Sequence, residues 1–404
     1  MTDSRPASWT AFILVSIALA SGTMGATMAS PLFPLYGAAW GITHTQVTVL
    51  YVVYMIGVLG AFQFLGSLPD RFGPIRVLRG GTVLLLVGLV LSAMAPAAGG
   101  LGTQVLGVAR LLIGIASGMV TTAATLGLLE VEPGAPKRAP IVTSAVTMAG
   151  FGAGPLVSGL IAEFAPWPLV MPYLAIALPI LAVMVGLCKI RARHAPGGPL
   201  SFRPHLGLPS RGALPGFIVV SLSVFSAYAL FSLLASLAPS FLSQILPWSG
   251  PAITGTAVAV VLFCSALVQI PARRLPPQRT LPIALCLMAG GVAVLALAVG
   301  FNLAAAFVIA DLAIGMGHGL SFLSGVMLVN AIAGRHSRAG IFATFFSIAY
   351  LGAIVPIIAV GRMADRLGLV PAVIWYSLVF AVFCLGLLSL VRRTLAPGRL
   401  EPLP

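Results

Sequence analysis

Twelve apolar runs, each about twenty residues long, constrain this sequence more than any other feature, because a membrane-crossing helix needs about 20 mostly apolar residues. Charged residues make up only 7% of the chain, whereas a soluble domain carries about 25%. The chain therefore has too few charged residues to cover a water-facing surface. The sequence predicts an all-α membrane protein with twelve transmembrane helices. The runs lie near 10–31, 46–66, 79–97, 102–129, 140–163, 168–190, 215–240, 251–270, 281–301, 303–330, 339–361 and 369–391.

The basic residues predict the orientation of these helices. A net charge of +14 on a soluble protein would suggest nucleic acid, but here Lys and Arg lie in the connections between apolar runs. With a cytoplasmic N-terminus, nineteen of them fall inside, only Arg362 and Arg366 fall outside, and Arg110 lies within a run. Such a bias sets topology. We therefore expect cytoplasmic N- and C-termini in a bacterial-type inner membrane, with the lipid bilayer rather than nucleic acid as partner.

The first apolar run contains a sequence that resembles a signal-peptidase site. Ala18-Leu19-Ala20 follows a short apolar stretch, as cleavable signals require. The apolar run continues past Ala20, however, and only one arginine precedes it. We expect a first spanning helix that is retained.

An internal repeat divides the chain into two halves. At a shift of 201 residues, Ala109–Gly114 falls on Ala310–Gly315 and Pro155 falls on Pro356. The predicted halves are 1–190 and 215–404, and the polar, basic segment 191–214, rich in proline and glycine, is the predicted cytoplasmic linker. Parallel repeats of this kind are a transporter architecture with a ligand site at the repeat interface. Chance similarity between glycine-rich helices is the alternative.

A loop between the second and third runs carries the strongest local motif. It reads Gly66-Ser-Leu-Pro-Asp-Arg-Phe-Gly-Pro-Ile-Arg-Val-Leu78 and resembles the loop motif of the major facilitator superfamily. Gly66 would let two helices approach, Asp70 could cap a helix or pair with a cation, and Gly73 permits a tight turn.

The resemblance implies the major facilitator fold of two pseudo-symmetric six-helix halves, with this loop acting as a latch on the cytoplasmic side. An ordinary loop whose charges only set topology is the alternative. The implied gate residues are Gly66, Asp70, Arg71, Gly73 and Arg76, with Glu130 or Glu132 as the partner of Arg71 or Arg76.

The fourth run contains a buried arginine on a face of small and polar residues. Arg110 lies about 12 Å inside the outer end of the run, at about 1.5 Å per residue. A charge at that depth must be paired with another group or in contact with water. This face of the helix therefore has to point into the interior of the helix bundle. The spacing Arg110-x-x-x-Gly114-x-x-x-Gly118 resembles the fourth-helix motif of the family, which is linked there to proton coupling. An arginine bonded to backbone carbonyls as a structural pin is the alternative.

The fifth run resembles a motif of the drug:proton antiporter branches of the family. Pro155 bends the helix, and Ser158 stands where the motif has the first glycine of a closing pair. The resemblance implies antiport, whereas generic packing of small residues is the alternative. The motif residues are Gly150, Gly154, Pro155, Ser158 and Gly159.

The tenth run holds Asp311 and His318, seven residues apart on one helical face. An apolar, water-accessible cavity favours the neutral form of a carboxyl group, which suits a proton carrier. Asp311 occupies the repeat position of Arg110, so we expect the two to form a charge pair that protonation or cargo switches; a static ion pair is the alternative. His318 could relay protons or simply donate a hydrogen bond in the core.

Two acidic residues occupy repeat-equivalent ends of the fifth and eleventh runs, Glu163 and Asp365. Arg362 and Arg366 flank Asp365 in the sequence. A surface salt bridge is the simplest prediction there.

Aromatic residues, methionine and threonine in three runs suit an apolar cargo, although each stripe could equally pack helices together. The candidate cavity residues are Thr27, Met28, Tyr36, Tyr228, Phe231, Phe346 and Tyr350.

These patterns predict a secondary active transporter, with proton-coupled efflux of small apolar or amphipathic compounds by alternating access as the main hypothesis. A sugar or other metabolite permease of the same superfamily is the alternative. The five histidines do not group with acids, so no enzyme is predicted. Neither a nucleotide-binding loop nor cysteines at metal spacing occur. We therefore expect no metal and no cofactor, the proton gradient as energy source, and a monomer.

Overall fold

The computed structural model describes residues 8–133, 138–190, 206–333 and 338–394. These described residues form helices joined by short connections, without a strand. Most of the predicted linker, residues 191–205, lies outside the described part of the chain. The α-helices are α1 (Trp9–Thr27), α2 (Phe33–Trp40), α3 (His44–Gly60), α4 (Leu68–Phe72), α5 (Pro74–Met94), α6 (Gly102–Val131), α7 (Ala139–Phe164), α8 (Met171–Lys189), α9 (Leu214–Ser236), α10 (Ala238–Ile245), α11 (Pro251–Ala272), α12 (Pro277–Phe301), α13 (Ala304–Ile332), α14 (Arg338–Leu367) and α15 (Leu369–Thr394).

The helices account for the predicted membrane spans. Among the described residues, eleven segments are long and apolar enough to cross a membrane, and one of them, Pro74–Val131, is 58 residues long. That segment contains both α5 and α6, separated by a turn at Ala95–Leu101 in which Gly99 has a φ of +56°. Eleven segments with one double-length member agree with the twelve predicted runs.

The first span is longer than predicted and is broken. α1 ends at Thr27, a 3₁₀ turn follows at Ser30–Leu32, and α2 continues to Trp40. Pro31 lies in the 3₁₀ turn and Pro34 in the first turn of α2. Proline has no backbone N–H to donate to the preceding turn, so these two prolines weaken the helical hydrogen bonding where the first span breaks.

The chain divides into two compact units. The first comprises the described residues within 1–40 and 53–204, and the second comprises those within 41–52 and 205–404. Residues 41–52 include the first two turns of α3 and belong to the second unit. In the first unit, α1, α5 and α6 bury an apolar core that includes Phe12, Leu78 and Leu128.

Glycines bring two helices into backbone contact in the same way in each unit. A Cβ at Gly114 of α6 would lie 3.1 Å from the Cα of Gly57 in α3 and against the carbonyl oxygen of Tyr54. A Cβ at Gly315 of α13 would lie 2.8 Å from the carbonyl oxygen of Val261 and 3.1 Å from the Cβ of Cys264, both in α11. The internal repeat therefore appears as a repeated contact between backbones.

One turn further along, the same pattern recurs. A Cβ at Gly118 would lie 3.2 Å from the carbonyl oxygen of Val58, and a Cβ at Gly319 would contact the carbonyl oxygen of Ser265. We define Gly114 with Gly118, and Gly315 with Gly319, as the glycine seams of the two units. Close approach of this kind is how small residues hold membrane helices together, because lipid offers no hydrophobic drive for their association.

Replacing Gly319 by alanine should loosen the packing of α13 on α11, because the added carbon has only backbone to displace. Overpacking of this kind costs about 1–3 kcal/mol, so the midpoint of thermal unfolding in detergent should fall by several degrees. Gly290→Ala in α12 is the matched control, since no atom lies within 4 Å of its added Cβ. Equal midpoints of thermal unfolding for the two variants would contradict the close packing proposed for the glycine seam of the second unit.

Candidate functional site

Arg110 lies at the centre of a fully packed polar cluster in the first unit. Its side chain is 1% exposed. The guanidinium group donates to the carbonyl oxygens of Gly25 and Ala26 in α1, at 3.4 and 3.3 Å. Its Cζ atom also lies 4.6 Å from the ring centroid of Tyr54, within the range of a cation–π contact.

The break in the first span explains why a cation is needed there. The last four carbonyl groups of a helix have no partner within that helix, and α1 ends at Thr27. Met28 donates its N–H to one of them, the carbonyl of Met24, at 3.1 Å, and Arg110 donates to the next two. A positive charge at a helix C-terminus is also favoured by the helix dipole. This is the pinning arrangement that the sequence left open as an alternative.

Tyrosine and serine hydroxyl groups extend this cluster. The hydroxyl groups of Tyr36 and Tyr173 are 2.7 Å apart, and both side chains have 0% exposure. Ser117 of α6 donates to the carbonyl oxygen of Gly22 in α1 at 2.9 Å. Buried polar groups are tolerated only when they are hydrogen-bonded. The tyrosine pair joins α2 to α8, and the bond from Ser117 joins α6 to α1.

The predicted fifth-helix motif packs against the same part of α1. A Cβ at Gly150 would lie 2.7 Å from the carbonyl oxygen of Ala20, and a Cβ at Gly154 would lie 2.6 Å from that of Met24. Ser158 donates to the carbonyl oxygen of Met28 at 2.6 Å. The serine that departs from the motif therefore supplies a hydrogen bond where glycine could not. Pro155 and Gly159 are buried in the same helix.

The predicted gate loop forms a short helix and a glycine turn. Gly73 connects α4 to α5 with a φ of +87°, a conformation that glycine adopts without strain. Asp70 and Arg76 are exposed, and Arg71 is half-buried.

The structural reason for Gly66 differs from the one predicted. A Cβ there would lie 2.7 Å from the carbonyl oxygen of Phe62, within a π-helical turn at Ala61–Leu65. The glycine therefore accommodates its own wider turn rather than the approach of a second helix. The partnership of Glu130 with this loop stays a prediction.

Glu132, the other predicted partner of the gate loop, has a different use. Its carboxylate Oε1 accepts hydrogen bonds from the backbone N–H groups of Arg138 and Ala139, at 2.6 and 3.2 Å. These groups belong to the start of α7. A carboxylate at a helix N-terminus stabilises the unpaired N–H groups and the helix dipole, so Glu132 caps α7.

Asp311 is the counterpart of Arg110 in the second unit and is satisfied far less completely. It is 4% exposed, and among the described residues its Oδ1 atom has no hydrogen-bond partner. Burying a charged carboxylate in this way is costly, whereas the protonated form is tolerated much better. The predicted pairing of Asp311 with Arg110 stays a prediction.

His318 lies two turns after Asp311 and belongs to a group of rings. Its Nδ1 atom is 2.9 Å from the hydroxyl oxygen of Ser265 in α11. Its ring centroid lies 5.7 Å from that of Tyr228 and 5.6 Å from that of Phe231, both in α9. This contact supports the hydrogen-bonding role that the sequence allowed for His318.

Further rings join Tyr228. Its centroid lies 5.5 Å from that of Tyr350 and 6.5 Å from that of Phe322, which in turn lies 6.4 Å from Phe346. Sequence reasoning missed Phe322, although it stands four residues after His318 and therefore on the same face of α13. We define the aromatic cluster as Tyr228, Phe231, His318, Phe322, Phe346 and Tyr350.

The three candidate cavity residues of the first unit have structural contacts. Thr27 donates to the carbonyl oxygen of Phe151 at 2.8 Å. Met28 and Tyr36 have 0% exposure. In this conformation Met28 and Tyr36 offer no surface to a cargo and Thr27 is half-buried, whereas the four candidates in the second unit form part of the aromatic cluster.

Asp365 is also used differently from the predicted surface salt bridge. Its carboxylate accepts hydrogen bonds from the backbone N–H groups of His44 and Thr45, at 2.8 and 3.0 Å. The Nδ1 atom of His44 lies 3.1 Å from the same carboxylate. Asp365 therefore caps α3 within the second unit, because the first N–H groups of a helix need an acceptor.

No group of three or more histidine, cysteine or acidic side chains that could hold a metal ion occurs in the described part of the chain. Arg110 in the first unit and Asp311 in the second are buried ionisable groups within helices long and apolar enough to cross a membrane. Such groups inside spanning helices mark pathways for ions or substrates.

The chain belongs to the Major Facilitator Superfamily, whose sequence pattern it matches over residues 15–356. It is therefore a multi-pass membrane transporter and not an enzyme, and members of this superfamily generally need no cofactor.

One curated relative is the riboflavin transporter RibZ of Clostridioides difficile (strain 630), 26% identical over 181 residues. The match covers 44% of this chain and 38% of the length of that relative.

Two similar solved structures are of a bacterial homologue of the human lysosomal transporter Spinster, both inward-facing. The match to the occupied form has a TM-score of 0.69 at 16% identity, and it covers 97% of this chain and 98% of the chain in that structure. The match to the unoccupied form has a TM-score of 0.70 at 15% identity, and it covers 99% of this chain and 100% of the chain in that structure. At these identities the likeness shows the fold alone, and that fold is the one predicted from the repeat and the gate loop.

Replacing Arg110 by methionine should destabilise the protein, because the carbonyl groups of Gly25 and Ala26 lose their donor. Each buried group left unsatisfied costs about 1–3 kcal/mol. Arg110→Lys should fall between the wild type and Arg110→Met, since a single ammonium group lacks the planar fork of donors. Thermal unfolding followed by tryptophan fluorescence measures this, with the exposed Arg362→Met as control. Wild-type stability in Arg110→Met would contradict the pinning role.

Proposed function

We propose that this transporter exports small apolar or amphipathic compounds in exchange for protons. It would act as a monomer in the inner membrane with both termini in the cytoplasm. Its halves would be residues 1–190 and 215–404, joined by a cytoplasmic linker. Transport follows alternating access, in which the cargo site opens to one side of the membrane at a time.

Asp311 supports the proton-coupled part of the proposal. A carboxyl group that is 4% exposed, with an oxygen that no described residue hydrogen-bonds, can be stable only when it is neutral or when a cation approaches it. Uptake and release of a proton therefore change the energy of this site strongly. We assign the proton to Asp311 rather than to His318, because His318 is already engaged by Ser265.

The contacts of α7 and the aromatic cluster support efflux of apolar cargo. Gly150, Gly154 and Ser158 pack α7 against the part of α1 that precedes its break, and this motif resembles that of drug:proton antiporters. In the second unit, a cluster of rings with a single imidazole is suited to apolar or amphipathic molecules.

A metabolite is the second candidate cargo. The similarity to a protein named as a riboflavin transporter favours it, and the same aromatic cluster would accept a heterocyclic ring. Because the match covers under half of each chain, we rank this candidate second.

Asp311→Asn should abolish transport driven by a pH gradient, because an amide cannot carry the proton. The purified protein is reconstituted in liposomes with a pH-sensitive dye inside. A panel of apolar, amphipathic and flavin-like compounds is then tested for dissipation of an imposed pH gradient. The wild type should dissipate the gradient with at least one compound, and Asp311→Asn should not.

Glu163→Gln is the matched control, since Glu163 is an exposed acid at the end of α7. It should retain coupled transport. Full gradient-driven transport in Asp311→Asn would refute the role of this carboxyl group. Cargo transport by the wild type that does not depend on the pH gradient would refute proton coupling altogether.

A further inference from the structure

We propose that the aromatic cluster binds a planar aromatic ring of the cargo, so that flat unsaturated molecules are preferred over saturated molecules of equal size. The proposal rests on the proposed function in one respect, namely that the cargo is a small molecule. It adds the chemical class of cargo that the second unit would select, namely molecules with a planar aromatic ring.

The cluster brings together rings from three separate helices. Tyr228 and Phe231 come from α9, His318 and Phe322 from α13, and Phe346 and Tyr350 from α14. Neighbouring centroids are 5.5–6.5 Å apart, which is the spacing that aromatic pairs prefer. Their interplanar angles range from 32° to 67°, so the rings are tilted against one another rather than stacked face to face.

The exposure of the rings indicates that the cluster is unfinished. Phe231 is buried at 8% exposure, whereas the other five members are only half-buried. By comparison, Phe241 and Phe307, which pack against each other elsewhere in the unit, are buried at 0% and 2% exposure. Half-buried rings fixed from three sides offer aromatic surface to a further ring.

His318 supplies a polar contact with a fixed direction. Its Nδ1 atom is held by Ser265, which fixes the orientation of the second ring nitrogen, Nε2. A ring that carries a hydroxyl or carbonyl group could stack in the cluster and bond to this nitrogen. Pockets of this composition, mostly apolar with one or two placed polar groups, are typical ligand sites.

Binding of a matched pair of probes tests the proposal without any proton gradient. 1-Naphthalenemethanol is planar and fluorescent, and decahydronaphthalene-1-methanol is its saturated counterpart. Binding to the full-length protein in detergent is followed by naphthalene fluorescence, and the saturated alcohol is measured by competition. The wild type should bind the planar alcohol at least threefold more tightly than the saturated one.

Phe322→Leu then removes a ring while keeping an apolar side chain. It should weaken binding of the planar alcohol about three- to tenfold and change binding of the saturated alcohol less than twofold, as loss of stacking predicts. Phe383→Leu is the matched control, because Phe383 is a half-buried ring of α15 outside the cluster. It should leave both affinities unchanged.

Three results would overturn the proposal: equal binding of the two alcohols to the wild type, no binding of the planar alcohol, or equal effects of Phe322→Leu and Phe383→Leu. Failure of the proposed function would look different. In that case planar binding would persist, and either Asp311→Asn would keep full gradient-driven transport or transport by the wild type would not depend on the pH gradient.

Discussion

A polar or charged group inside a membrane must find its partners within the protein, and the rest of this structure depends on how that constraint is met. Arg110 meets it through two carbonyl groups at the end of α1 and the face of Tyr54. The break in the first span and the burial of Arg110 therefore stabilise each other, since each supplies what the other lacks.

The repeat places two buried residues of opposite charge, Arg110 and Asp311, at equivalent positions. Arg110 and Asp311 both lie one turn before a glycine seam, which holds the helix backbone rigidly against its neighbour. Asp311 nevertheless keeps an oxygen that no described residue bonds. A rigid backbone with an incompletely satisfied carboxyl group is suited to a change of protonation without local unfolding, and this asymmetry is the physical basis of the proposed coupling.

Much of the fold could be predicted from the sequence, because membrane spans and glycine turns leave strong local patterns. The twelve runs, the turn at Gly73 and the packing face of Gly150, Gly154 and Ser158 are examples. Contacts that join distant segments could not be predicted. Asp365, for example, caps α3 from 320 residues away. Phe322 was predictable from its helical spacing to His318, but only with the ring cluster in view.

Proton release on cargo binding would show whether Asp311 couples the two. A pH-indicator dye in weakly buffered detergent solution reports protons when non-ionisable 1-naphthalenemethanol is added to the purified protein. We expect release from the wild type and from Glu163→Gln, and none from Asp311→Asn, because binding of cargo and protonation of Asp311 exclude each other in an antiporter. Binding without proton release, or equal release from Asp311→Asn, would contradict this expectation.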